Sequence, residues 1–193
     1  LFRHDKKFYN PCALALNIKD DLSDAELSAK AAEVAGSELD RVGQKLRIDA
    51  ISIECVSNDS AKYEAAVKLV ASKAPNAALI LNCSNASIAG PAAKAVAARM
   101  PLLYCATADN AEAMAAIAKE NNIPLAIKAD GLDALSTLSE KVQALGVENI
   151  VLDSGATTAG AILGNNTQIR RAALKKGFKP LGFPVINYVV RDD

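Results

Sequence analysis

Seven nearly continuous apolar runs punctuate the chain, at residues 12–18, 50–56, 78–83, 101–107, 124–129, 149–153 and 184–190, each with a polar residue near its carboxyl end. An unbroken apolar run, unlike an alternating one, predicts a strand covered on both faces, as in a parallel sheet flanked by helices. Between the runs lie stretches with apolar residues at helical spacing. Ser23 and Glu26 form a capping-box pair ahead of Leu27, Ala31 and Val34. Tyr63, Val67 and Val70 mark a second helix that starts near Asp59 or Ser60 and stops at Pro75. Ile88, Ala92 and Val96 mark a third, and Met114 with Ile117, behind an Asn110 cap, a fourth. Leu132, Leu135, Leu138, Val142 and Leu145 form the stripe of the fifth, with Gly146 where a left-handed C-terminal cap belongs. A sixth helix runs from Thr158 or Thr167 to Lys176 and ends at Gly177.

Regular βα alternation of this kind predicts an α/β fold, a TIM (β/α)8 barrel. Length then limits the expectation. A full eightfold barrel takes about 250 residues and rarely fewer than about 200, whereas this chain has 193. Seven strands leave one unit missing, so the expectation is a single, incomplete barrel domain over residues 1–193, cut from a longer polypeptide. Residues 1–4 could supply a short strand or a cap.

Composition narrows the class of function. Lys and Arg number 22 against 22 Asp and Glu, so no basic footprint points to nucleic acid or to an anionic membrane. The longest apolar runs are strand-sized, well short of the roughly 20 residues a bilayer span needs, and the expected location is the cytoplasm. Cys12, Cys55, Cys83 and Cys105 are spaced too widely for a zinc or iron–sulfur motif. Cys55 and Cys83 close the second and third strands and Cys105 lies in the fourth, so a barrel would bring them near one another. As buried free thiols they read first as small apolar filler. With His4 the single histidine, a Ser/His/Asp triad or a histidine metal site has nothing to be built from. No catalytic or metal-binding residue is expected.

Ligands collect at the carboxyl ends of barrel strands, and there the chain places Glu54, Asn82, Thr107, Lys128, Asp153 and Asn187. Together they would offer a small-molecule site. Amides and a carboxylate could hydrogen-bond the edge of a heterocycle such as a pterin. The competing reading is that strand ends are polar because loops begin there, with Lys128 paired to Asp153 or Glu54. The loop Ser154 to Gly160 has the small residues of an anion-binding turn but follows the sixth strand, so a plain loop with helix caps is the expectation. Arg170 and Arg171 read as solvated or facing a neighbouring subunit.

Several segments carry a resemblance that composition does not. They are Arg3-His4-Asp5-Lys6-Lys7-Phe8-Tyr9-Asn10-Pro11, Asp40-Arg41-Val42-Gly43-Gln44, Leu81-Asn82-Cys83-Ser84 and Pro101-Leu102-Leu103-Tyr104-Cys105-Ala106-Thr107, with Val151-Leu152-Asp153-Ser154-Gly155, Ile169-Arg170-Arg171-Ala172-Ala173-Leu174 and Leu181-Gly182-Phe183-Pro184-Val185-Ile186. In this order and spacing the chain resembles the large subunit family of the corrinoid/iron–sulfur protein, called gamma in the archaeal acetyl-CoA decarbonylase/synthase complex. The similarity runs through essentially the whole chain.

That resemblance implies the central barrel of a three-part subunit whose other parts hold a 4Fe-4S cluster and a corrinoid (cobalamin), neither bound by this segment. It implies as partners a small subunit that is itself a barrel, a methyltransferase and acetyl-CoA synthase. The methyl group passes from methyltetrahydrofolate, or an archaeal methyltetrahydropterin, to cobalt and on to acetyl-CoA synthase in the acetyl-CoA (Wood–Ljungdahl) pathway. This barrel would then serve as the scaffold against which mobile domains dock. Two enzyme readings stand beside it: a methyltetrahydrofolate:corrinoid methyltransferase that binds its pterin through Asn82, Asp153 and Asn187, and a lyase or aldolase with Lys128 as Schiff-base nucleophile.

Overall fold

The fold is built from repeated strand–helix units, and the computed structural model describes residues 12–189 of it. The strands are β1 (Ala15–Lys19), β2 (Leu39–Arg41), β3 (Gln44–Leu46), β4 (Ala50–Glu54), β5 (Ala78–Asn82), β6 (Leu102–Ala106), β7 (Leu125–Lys128) and β8 (Ile150–Asp153). The helices are α1 (Asp24–Ala35), α2 (Ser60–Lys73), α3 (Ala86–Ala95), α4 (Ala111–Asn121), α5 (Leu132–Ala144) and α6 (Ala159–Lys176). The α/β class is as the apolar runs predict. A six-stranded sheet in the order β1-β4-β5-β6-β7-β8 has parallel neighbours throughout.

The helix signals act as their chemistry requires. Ser23 and Glu26 complete the capping box of α1, and Asp59 caps α2 by accepting from the amides of Ala61 and Lys62. Thr158, not Thr167, starts α6. Gly146 follows α5 at φ +87°, a conformation glycine adopts without the Cβ clash other residues meet. Asn110 departs from expectation. It stands at the head of α4 but makes no side-chain cap bond there. Its Oδ1 instead accepts from the Thr107 amide (2.7 Å), and its Nδ2 donates to the Ser84 carbonyl (2.7 Å), tying the end of β6 to the loop after β5.

Two apolar layers hold the molecule together. The larger lies between sheet and helices, where Ile51, Leu81, Leu103, Leu125 and Leu152 meet helix residues such as Tyr63, Val67 and Met114. Each such side chain, fully withdrawn from water, contributes about 1.5–3 kcal/mol of transfer free energy. The smaller layer lies on the other face of the sheet and includes Ala50, Ile80, Tyr104 and Ala126, with Ile186 and Tyr188 packed against them.

The second layer exists because the sheet is rolled. β4 and the segment around Val185 stand five steps apart in strand order, which in a flat sheet would separate them by about 24 Å at roughly 4.8 Å per step. Yet the Ser52 and Tyr188 hydroxyls hydrogen-bond at 3.0 Å. The roll does not close by backbone pairing among the described residues. The expected strand over 184–190 reduces to a bridge between Leu152 and Val185, held by bonds from the Leu152 amide to Pro184 and from Ile186 to the Leu152 carbonyl. Among the described residues this segment pairs with β8 alone. Among the described residues β1 has no partner at its outer edge, and Ala15, Asn17 and Lys19 are exposed there. His4 and the rest of residues 1–11, with Val190 and the residues beyond it, lie outside the described residues.

An element the apolar runs did not announce is the antiparallel hairpin β2–β3 between α1 and β4. Its tip is Val42-Gly43, both at positive φ (51° and 74°), as a tight hairpin turn requires. All six of its strand residues are exposed.

Candidate functional site

The carboxyl ends of β4, β5, β6 and β7 open on a cleft of about 700 Å³. Register decides which side chains reach it. Glu54 pairs with Asn82 and Asn82 with Tyr104, while Lys128 pairs with Asp153; between these two groups the β6–β7 register shifts from Leu103 opposite Leu125 to Ala106 opposite Ile127. Of the six strand-end residues read from the sequence, Glu54, Asn82, Thr107 and Lys128 line the cleft. Asp153 does not line it, and neither does Asn187. The latter alternates with Ile186 and Tyr188, the two residues of its segment that pack into the inner layer.

Asp153 is buried and held from two sides. It is 3% exposed; the Tyr104 hydroxyl donates to its Oδ2 at 2.6 Å, and the Gly155 amide donates to its Oδ1 at 2.8 Å. Tyr104 packs in turn against Tyr188, ring centroids 5.1 Å apart, and the Tyr188 hydroxyl reaches Ser52. Burial pushes the Tyr104 phenol above its ordinary pKa, and the bond to Asp153, which favours the protonated donor, adds to the shift. Burial likewise raises Tyr188, to about 12. Both phenols therefore stay protonated at neutral pH. The chain Ser52–Tyr188–Tyr104–Asp153 fills the middle of the roll, and the cleft above it is open rather than deep.

Within the cleft the polar groups differ in how they are satisfied. The Glu54 carboxylate accepts from Asn17 Nδ2 at 2.7 Å. The side chains of Asn82 and Lys128 have no hydrogen-bond or ion-pair partner among the described residues. The expected pairing of Lys128 with Asp153 or Glu54 is thus not made: Tyr104 and Gly155 already occupy Asp153, and Asn17 is bonded to Glu54. Lys128 faces the Cys105 thiol, which burial pushes up in pKa and the lysine's charge pulls back. Asp109 and Asp130 add acidic groups at the rim.

The loop after β8 behaves as a loop with caps. Thr158 Oγ1 accepts from the Ala161 amide, and Asn165 Nδ2 donates to Ser154 Oγ (3.2 Å). Gly155, at φ +69°, lies directly against the Asp130 carboxylate, leaving no room for a Cβ. Among the described residues no cluster of three His, Cys, Asp or Glu side chains could hold a metal ion, and no helix is long and apolar enough to cross a membrane.

Sequence reasoning missed Tyr104, Tyr188 and Ser52, which sit inside apolar runs with nothing local to mark them. The available signal was a tyrosine and a serine inside runs otherwise built from aliphatic residues, opposite a strand that ends on a carboxylate.

Comparison with known proteins decides the lineage. The CO dehydrogenase/acetyl-CoA synthase delta subunit family matches residues 1–191. The chain belongs to that family. The corrinoid/iron-sulfur protein large subunit of Moorella thermoacetica is 46% identical over 186 residues, covering 96% of this chain and 42% of the relative. The acetyl-CoA decarbonylase/synthase complex subunit gamma of Methanothermobacter thermautotrophicus is 32% identical over 190 residues, covering 96% and 41%. The chain spans about two fifths of the length of these relatives. Among solved structures, a mandelate racemase/muconate lactonizing protein from Paracoccus denitrificans superposes with a TM-score of 0.59 at 13% identity, covering 91% of this chain and 46% of that one. Mycobacterium tuberculosis Rv1207 gives the same TM-score at 17% identity, covering 93% and 74%. Both likenesses concern the fold alone.

Proposed function

We propose that this segment is the scaffold barrel of a corrinoid/iron–sulfur methyl carrier, one that hands a methyl group from a methyltetrahydrofolate or methyltetrahydropterin methyltransferase to acetyl-CoA synthase. One observation carries the reading. The corrinoid/iron-sulfur protein large subunit of Moorella thermoacetica is 46% identical over 186 residues. In keeping with it, the strand-end carboxylate of Asp153 is taken up by Tyr104 and Gly155 rather than offered to the cleft. Corrinoid methyl transfer presents one cobalt in turn to donor, acceptor and reductant, and a fixed body gives the moving parts a surface to return to. In this reading the corrinoid and the 4Fe-4S cluster belong to other parts of the full-length subunit. The barrel acts in the cytoplasm as a single domain beside a small subunit, the methyltransferase and acetyl-CoA synthase.

The unpartnered Asn82 amide in the cleft favours the second reading, a pterin-binding methyltransferase. Titration calorimetry of the intact protein with methyltetrahydrofolate separates the two. The scaffold reading expects no saturable heat. Tight binding that disappears in Asn82→Ala would replace it with the methyltransferase.

A further inference from the structure

Glu54 and Lys128 stand at the carboxyl ends of β4 and β7, three steps apart in strand order, and both line the cleft half-buried. Three steps span about 14 Å along the sheet at roughly 4.8 Å per step, so the two charges border a common space rather than each other. Glu54 has one oxygen bonded by Asn17 Nδ2 at 2.7 Å, and Lys128 has no ion-pair partner among the described residues. Between them, on β5, the half-buried Asn82 presents an amide without a partner among those residues. A half-buried charge has given up part of its hydration, and an opposite charge brought to it gains more than at an exposed position. The rim then selects among ligands. Asp109 and Asp130 are exposed at the mouth, and Lys128 is the one basic side chain among the described residues lining the cleft. A simple anion meets a surplus of carboxylates, and a simple cation leaves the lysine unmatched. A molecule charged at both ends answers both.

We propose that the cleft is a binding site for a small zwitterion of the amino-acid class, its carboxylate on the Lys128 ammonium, its ammonium on the Glu54 carboxylate, and the Asn82 amide bonding it between the two. Each wall suits its part. Lysine carries a point charge on a long flexible stem, so it follows a carboxylate across a wide cleft. The bond from Asn17 to Oε2 of Glu54 leaves Oε1 to accept from the ligand. Asn82 offers a donor and an acceptor side by side. The volume of about 700 Å³ lies within the range of small-molecule sites and leaves room for the side chain of the guest. This inference does not depend on the scaffold reading, since it concerns a ligand of this body and not the cobalt chemistry carried elsewhere in the subunit.

The test is titration calorimetry of the intact protein with each of the common L-amino acids at millimolar concentration, with sodium acetate and ethylamine hydrochloride as controls that carry one charge each. The expected result is saturable heat from at least one amino acid and none from either control. Masking one charge of that amino acid, in its N-acetyl or its amide derivative, weakens binding about tenfold or more, the loss of one charge-assisted bond. Lys128→Gln and Glu54→Gln do the same, while Lys176→Gln, on α6, leaves the affinity unchanged. No saturable heat from any amino acid, a control that binds as tightly as the amino acid, or full affinity in both masked derivatives would each overturn the assignment, and none of these needs a variant to fold. Methyltetrahydrofolate is titrated separately, and heat from it bears on the methyltransferase reading alone.

Discussion

Because the Asp153 carboxylate is buried with one phenol and one amide as partners, removing the phenol leaves an oxygen in the interior without a donor. Tyr104→Phe should therefore cost about 1–3 kcal/mol of stability, read as a lower urea midpoint at unchanged slope. The buried thiols and phenols make a second prediction, about pH. Burial raises Cys55 to about 12 and pushes Cys83 and Cys105 up as well, while Tyr188 rises to about 12 and Tyr104 also rises. For each of these the folded pKa exceeds the unfolded one, so the stabilisation is complete below the unfolded value and is lost as pH climbs toward the folded value. Thermal unfolding should hold steady at neutral pH and fall progressively from about pH 8.5, where unfolded cysteine begins to ionise, up toward 12. In the same way, alkylation of Cys55 by iodoacetamide should still quicken about tenfold per pH unit between pH 9 and 11. An ordinary cysteine would level off there.

At the level of elements, one side chain closes α2. Arg99 donates to the carbonyls of Ala71, Ala74, Pro75 and Ala77, just where a helix leaves its last carbonyls short of intrahelical donors. Arg99→Ala should cost roughly 1.5–3 kcal/mol, the range for hydrogen bonds to a charged group, and amide exchange should rise first in the last turn of α2. Gly155→Ala meets two obstacles together, a positive φ and the Asp130 carboxylate. It should lower the melting temperature and loosen the loop that leads into α6. The elements were also where the sequence spoke most clearly. Strands buried on both faces advertise themselves as unbroken apolar runs, and caps such as Ser23, Asp59 and Thr158 mark helix starts by their own chemistry. The hairpin gave no such sign, since Leu39 and Leu46 stand among charged residues and its turn uses Val42 where asparagine or aspartate is usual. The cleft was legible as a place, since four of the six strand-end residues reach it, but not as a set of partners. That needs the register between strands, and register is a property of pairing that one strand does not carry.

Taken whole, the molecule depends on a contact between its two extremes. Tyr188, near the end of the described chain, reaches Ser52 on β4 and packs at a tilt against Tyr104 on β6, so one side chain fastens the late part of the roll to the early part. Tyr188 is partly buried, so Tyr188→Ala should cost less than a fully buried aromatic, about 1.5–3 kcal/mol, and should bring a hydrophobic dye such as ANS onto the inner layer. Ser52→Ala, which loses a hydroxyl partner and leaves the ring packing in place, should cost about 1 kcal/mol.

The plugged interior has a consequence for anything that settles at the carboxyl ends of the strands. With Tyr104 in its lining, the cleft would hold a guest with its upper side in water, where a second protein could grip it. Capture on this surface and transfer away from it would then need no opening of the barrel at all.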